Sequence, residues 1–273
     1  MKRLISVFAL AAALAGCDLF GGGGAKPDPT PTPTATPSPA ASATAVATGS
    51  GARTVSEETD DFLFEYAYPS QAGRIPELAA LLDTRMAQNR EELATGAVQA
   101  RREARANGFP YNKHSYSADW KVVADLPGWL SLSQDVDTYT GGAHGNSALE
   151  SLVWDKEAGK AMDAIALFSS PQALDDALGD RFCDALNRER ARRREAPVPE
   201  NSDDEFDKCP AIGELEVLVG SSNRRTFNRL TIYAGPYVAG PYVEGAYEVN
   251  LNVDRAILGA VKPEYRAAFT ARN

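Results

Sequence analysis

Histidine, cysteine and tyrosine are the side chains whose placement in this chain could do chemistry. The 273 residues include two histidines, His114 and His144. His144 lies in Tyr139-Thr140-Gly141-Gly142-Ala143-His144-Gly145-Asn146, the most glycine-rich stretch beyond the N-terminal region. Such glycines allow positive φ and close backbone approach, for a ligand or for a tight turn between two strands. As a general base His144 would need a nucleophile and an orienting carboxylate brought to it by the fold. A metal would need further His, Cys or carboxylate ligands, and neither HxxxH nor HExxH spacing occurs. Three readings of His144 therefore stand side by side: structural turn, ligand contact and weak catalytic candidate. No metal or other cofactor is expected.

A second motif follows about 90 residues later. Gly235-Pro236-Tyr237-Val238-Ala239 is succeeded at once by Gly240-Pro241-Tyr242-Val243-Glu244, then by Gly245-Ala246-Tyr247. Proline excludes a central strand, so this near-repeat is expected as extended loop. It either displays Tyr237 and Tyr242 as an aromatic platform for a glycan or protein partner, or folds them over the edge of the core. The candidate ligand contacts are thus Tyr139, Gly141, Gly142, His144, Tyr237 and Tyr242. No Walker-type loop, GxSxG elbow or paired-carboxylate motif is present.

The three cysteines divide by position. Residues 1–17 carry a basic start at Lys2 and Arg3, an apolar run, and Ala15-Gly16 directly before Cys17. The run is too short for a membrane span and reads as a signal peptide over residues 1–16. A small-small-Cys ending is that of a bacterial lipoprotein, with diacylglycerol on Cys17. This places the chain on the cell membrane, lipid-anchored and facing the periplasm or exterior; Asp18 favours retention at the plasma membrane under enteric-type sorting. In an oxidising compartment Cys183 and Cys209 most simply form a disulfide. The loop of about 26 residues is worth on the order of 3–4 kcal/mol in the chain-entropy model.

Residues 17–54 form the next unit. Four glycines from Gly21, a Pro-Thr repeat and an Ala/Ser/Thr/Pro stretch lack the apolar surface to order themselves, and are expected to stay an unfolded, partly polyproline tether. The net charge is −9, and loss of Lys2 and Arg3 takes the exported form to −11. That acidity argues against nucleic acid and favours cationic partners.

Residues 55–273 must then position the two motifs. Phe62-Leu63-Phe64-Glu65-Tyr66-Ala67-Tyr68 alternates as a half-buried strand. Residues 75–106 read as a helix ended by Gly108 and Pro110, with Ile75, Leu78, Leu81, Leu82 and Met86 on its apolar face. Strands at 116–124, 128–139 and 148–154 have short connections, which predicts an antiparallel meander rather than βαβ units. A helix over 171–194 carries the stripe Leu174, Leu178, Phe182, Ala185 and Leu186. Its basic end, residues 188–194, meets an acidic loop at 200–207. Strands at 215–219, 230–233 and 247–253 and a helical tail from Asp254 complete an α+β fold, mostly antiparallel sheet with packed helices.

The strand turn Tyr139-x-Gly141-Gly142-Ala143-His144 followed by Asp155-x-x-x-Gly159-Lys160, and the later Tyr233-Ala234-Gly235-Pro236-Tyr237-Val238-Ala239-Gly240-Pro241-Tyr242 with Tyr247-Glu248-Val249, resemble the PdaC/RsiV-like extracytoplasmic domain, a domain of unknown function. The resemblance implies a single domain in two halves, roughly 55–160 and 161–273. It also implies an envelope role: the family includes the outer domain of a lysozyme-binding anti-sigma factor and an accessory domain of a peptidoglycan deacetylase. A lipid anchor does not cross the membrane, and two histidines do not supply a deacetylase's metal-binding pair. The expectation is a non-enzymatic binding module for a cationic lysozyme-like protein or peptidoglycan; the alternative is an envelope hydrolase acting through the His144 turn.

Overall fold

The computed structural model describes residues 42–47 and 51–272. The signal segment, Cys17, Asp18 and the tether as far as residue 41 lie outside the described residues. A seven-stranded sheet runs in the order of its sequence: β1 (Ser42–Ala47), β2 (Arg53–Glu58), β3 (Phe62–Tyr68), β4 (His114–Asp125), β5 (Trp129–Tyr139), β6 (Asn146–Asp155) and β7 (Lys160–Met162). A short helix α1 (Ser70–Gly73) and the long α2 (Pro76–Asn107) connect β3 to β4.

The period-2 pattern of β3 does what its chemistry dictates. Phe62, Phe64, Tyr66 and Tyr68 are buried on one face, against Leu78 and Leu82 of α2 and Trp120 of β4. Inside this core the Trp120 indole donates to the Tyr66 hydroxyl at 2.8 Å, so the buried polar atoms find each other. Gly108 ends α2 in the left-handed region at φ 71°.

Two expectations change here. Residues 17–54 were expected to be unfolded throughout, yet β1 pairs antiparallel with β2 from Ser42↔Glu58 to Ala47↔Arg53. The last proline of the tether is Pro39, so backbone donors are available beyond it, and β2 would otherwise leave a bare sheet edge. The folded chain thus begins before residue 55. Antiparallel pairing also fails at one place: β3 and β4 are parallel, because α2 carries the chain back to the end where β3 began. The meander of β4, β5 and β6 is antiparallel as expected.

The second sheet has three antiparallel strands, β8 (Glu216–Gly220), β9 (Arg229–Ala234) and β10 (Tyr247–Asn252), with β9 central. Helices α3 (Pro171–Leu178), α4 (Asp180–Arg194) and α5 (Arg255–Ala260) share its core with Leu126 and Val153 of the first half. The helix expected over 171–194 is broken at Gly179 (φ 53°, ψ −144°), a backbone conformation that favours glycine. The apolar stripe survives the break: Leu174, Leu178, Phe182 and Leu186 are buried. Cys183 on α4 is bonded to Cys209, with Cα atoms 5.6 Å apart. No helix of the described residues is long and apolar enough to cross a membrane.

Candidate functional site

The two motifs meet. The turn between β5 and β6 carries His144, and the loop between β9 and β10 carries Tyr237 and Tyr242. The imidazole stacks on the Tyr242 ring with centroids 4.0 Å apart and planes 23° from parallel. Tyr237 closes the trio, its centroid 5.5 Å from Tyr242 and 6.4 Å from His144. The Gly145 carbonyl accepts from His144 Nδ1 at 2.8 Å and from the Tyr242 hydroxyl at 2.9 Å. A carbonyl can only accept, so Nδ1 carries the hydrogen, and the Tyr237 hydroxyl faces Nε2 at 3.4 Å.

Two of the three glycines of the turn have a separate role. Gly141 takes φ 88°, and its carbonyl accepts from Asn112 Nδ2 at 3.3 Å. Gly145 lets the backbone close up, since a Cβ there would stand 3.0 Å from the Thr138 carbonyl. Gly142 faces open space and meets no such demand. Tyr139 ends β5 opposite Ser115 of β4, and none of the ring contacts of the trio involves it. His114 lies buried beneath the turn beside the Tyr111 ring, and burial holds its imidazole below the usual histidine range, against the opposing effect of its hydrogen bond to the Thr140 backbone.

Tyr237 stands out twice. It is 53% exposed, one of the few large aromatic side chains so open, and it sits at φ 68°. For a bulky residue that conformation is strained by roughly 1–3 kcal/mol, and such strain persists only where the surroundings impose it. The loop, expected as extended, is instead a turn at Pro236–Val238 followed by a 3₁₀ turn at Tyr242–Glu244.

The loop that carries Tyr237 is held at residues 239–246 by the basic end of α4. Arg190 is fully buried; its Nε donates to the Ala239 carbonyl at 2.9 Å, and Nη1 and Nη2 reach Asn187 Oδ1 and the Asp207 and Lys208 carbonyls. Arg193 lies over the Tyr247 ring at 4.0 Å and donates to the Glu244 and Ala246 carbonyls. Arg194 bridges Glu244 and Asp207, joining the acidic loop to the aromatic loop. Sequence reasoning gave these arginines to a contact with residues 200–207, which Arg194 makes, but missed the clamp on 239–246. A signal was there. Positions 174, 178, 182 and 186 step by four along a buried face, and the next step is Arg190. A charge in line with an apolar stripe needs partners inside.

Also unread in the sequence is a polar cleft of about 530 Å³ beside β6. Glu150, Asp163 and Glu216 line it together with Tyr116 and Arg85. Burial, with Asp163 and Glu150 adding to it, holds Glu216 above the usual carboxylate range, although Ser151 donates to it. Burial pushes the Tyr116 hydroxyl up to about 12. These residues come from five separate segments, so no motif announces them. Among the described residues no group of three or more His, Cys, Asp or Glu side chains is arranged to hold a metal.

Chemically the trio offers π-faces and an exposed phenol, with no carboxylate bonded to His144 among the contacts above. The chain was compared with known proteins. Residues 55–147 match the model of the family described as Deacetylase PdaC, so the resemblance to that family holds over this stretch, which ends just past the His144 turn. No curated protein matches the chain. Among solved structures, a DUF3298 family protein of Pseudomonas aeruginosa PAO1 is 16% identical, with 87% of this chain and 99% of that one covered and a TM-score of 0.45. A DUF3298 family member of Bacteroides fragilis is 14% identical, with 82% and 97% covered and a TM-score of 0.41.

Proposed function

We propose that the chain is a lipid-anchored binding module of the bacterial cell envelope, non-enzymatic, which holds a cationic lysozyme-like protein through the His144–Tyr237–Tyr242 platform. One observation carries this reading: an exposed tyrosine at positive φ stands beside the stacked His144–Tyr242 pair, in a loop that three arginines hold at residues 239–246. Strain of that kind serves presentation of a side chain better than it serves packing. Aromatic anchors of this type dominate protein interfaces, and a net charge of −11 after export draws a basic partner toward the domain. The anchor at Cys17 and the tether would place the platform above the membrane, facing the periplasm or exterior.

A second ligand is favoured by the same rings. Pyranose faces stack on aromatic side chains, so peptidoglycan is the other candidate. The hydrolase alternative draws less support, because both nitrogens of His144 face the protein's own backbone and phenol. Pull-down of lysozyme and of purified sacculi by the full chain tests the proposal, with Tyr237→Ala and Tyr242→Ala as variants. Saturable retention of lysozyme that both variants lose is the expected result. Retention of neither ligand by the wild-type chain refutes it. If His144→Ala abolishes turnover of wall material while leaving thermal stability unchanged, the hydrolase reading replaces it.

A further inference from the structure

Where the two sheets approach each other, one strand edge is left open. β6 pairs with β5 along its length, but with β7 only through Val153, Trp154 and Asp155. The Ser151 amide points away from β5, because it donates to Glu216 Oε1 at 2.9 Å. Strand geometry repeats every second residue, so the amides and carbonyls of Ser147 and Leu149 lie along that same edge. Among the described residues no strand pairs with this part of it.

The edge is not simply exposed; it is one wall of a groove. Ser147–Leu149 face Leu215, Tyr233 and Pro236 across a space of about 450 Å³. This groove and the carboxylate cleft share the wall formed by Gly213, Leu215 and Glu216. Three carboxylates, Glu150, Asp163 and Glu216, line the cleft against the one guanidinium of Arg85, which is turned over the Trp120 ring at 5.7 Å. An extended segment laid along the edge would therefore run from backbone hydrogen bonds into a surplus of negative charge. Natural sheets usually blunt such edges with a lysine, a proline or a covering element. Here Glu216 occupies the Ser151 position alone.

We propose that this edge docks an extended, basic polypeptide segment, which adds as a strand along Ser147 and Leu149 and places a lysine or arginine in the Glu150–Asp163–Glu216 cleft. Main-chain bonds supply affinity in this mode, and the cleft supplies selection for a cation. The inference rests on the reading of the chain as a binder of a cationic protein, but on none of the three rings of the platform. It gives that partner a required feature: a flexible basic stretch of about three to five residues, the length the open edge accommodates at ~3.3 Å per residue.

The test uses the full chain in nonionic detergent and three short peptides: an acetylated, amidated Lys-Val-Lys-Val-Lys, the same sequence N-methylated at every backbone amide, and Glu-Val-Glu-Val-Glu. The basic peptide is expected to bind saturably and to slow hydrogen exchange at the Ser147 and Leu149 amides at least tenfold. The N-methylated and acidic peptides should not bind. Glu150→Gln combined with Asp163→Asn, both exposed positions, should weaken the basic peptide roughly tenfold. Equal binding of the N-methylated peptide, unchanged exchange at Ser147 and Leu149, or unchanged affinity in the double variant overturns the proposal. A chain that retains lysozyme yet ignores the basic peptide overturns this inference alone; one that takes the peptide yet ignores lysozyme and sacculi overturns the named partner and leaves the edge standing.

Discussion

Replacing Arg190 with methionine keeps most of the aliphatic volume and deletes the guanidinium, so it isolates what the buried charge does. Three backbone carbonyls and one side-chain amide oxygen lose their donors. Ala239 is fully buried, so its carbonyl has no access to water in exchange, at about 1–3 kcal/mol. Asp207 and Lys208 lie nearer the surface and can be rehydrated, leaving about 1 kcal/mol for each net bond lost. Together Arg190→Met should cost about 3–5 kcal/mol. A domain of this size has an m-value in urea at or above about 2–3 kcal/mol/M, so the midpoint should fall by roughly 1–2 M. Arg188, exposed on the same helix, is the control, and Arg188→Met should shift stability by no more than about 0.5 kcal/mol. The platform should suffer as well, since Ala239 lies between Tyr237 and Tyr242; affinity for lysozyme should fall in conditions where the variant is still folded. A loss under about 1 kcal/mol, or one matched by Arg188→Met, would refute the clamp.

Three further outcomes are expected. Tyr237→Asn, which accepts positive φ, should leave stability unchanged or raise it by up to about 1 kcal/mol while weakening ligand retention, checked by urea titration beside the pull-down. Joint Cys183→Ala and Cys209→Ala substitution should cost about 3–4 kcal/mol through the unfolded chain, read from the same titration. His114 has a folded-state pKa below the ordinary 6.5 because it is buried, so the unfolded chain takes up its proton first as pH falls. Its contribution is therefore neutral above about pH 6.5, and stability declines as pH drops below that value toward the lowered pKa; His114→Gln should flatten that part of the stability–pH curve.

Much of the fold was legible because its signals are local. Phe62, Phe64, Tyr66 and Tyr68 alternate strictly, and one residue of slip would have put all four rings in water. Gly108 and Pro110 stop α2 by backbone chemistry that needs no tertiary help. The break at Gly179 was hidden because the stripe from Leu178 to Phe182 keeps its four-residue step across it. β1 was hidden by its neighbours: it follows a proline-rich tether and takes its order from β2, not from its own composition. The candidate site divides the same way. Each aromatic motif could be picked out, but the stacking of His144 on Tyr242 joins residues nearly a hundred apart, and no spacing rule carries that distance. Arg190 was legible in principle, as the polar residue on an apolar step, yet adjacent arginines made the whole run look solvated. The carboxylate cleft has no sequence signature, being assembled from α2, β4, β6, the turn after β7 and β8.

The disulfide and Arg190 sit seven residues apart on α4, two helical turns or about 10 Å along one face. They grip adjacent residues of the same loop, Cys209 covalently and Lys208 through its carbonyl. A segment fastened at one point can swivel; fastened at two separated points of a rigid rod, it resists torque. The two fastenings also fail under different insults, one to reductants and the other to polar denaturants. A partner that pulls on the tyrosines of the neighbouring loop therefore pulls against a braced frame, and the force it applies is delivered to α4 and the core behind it.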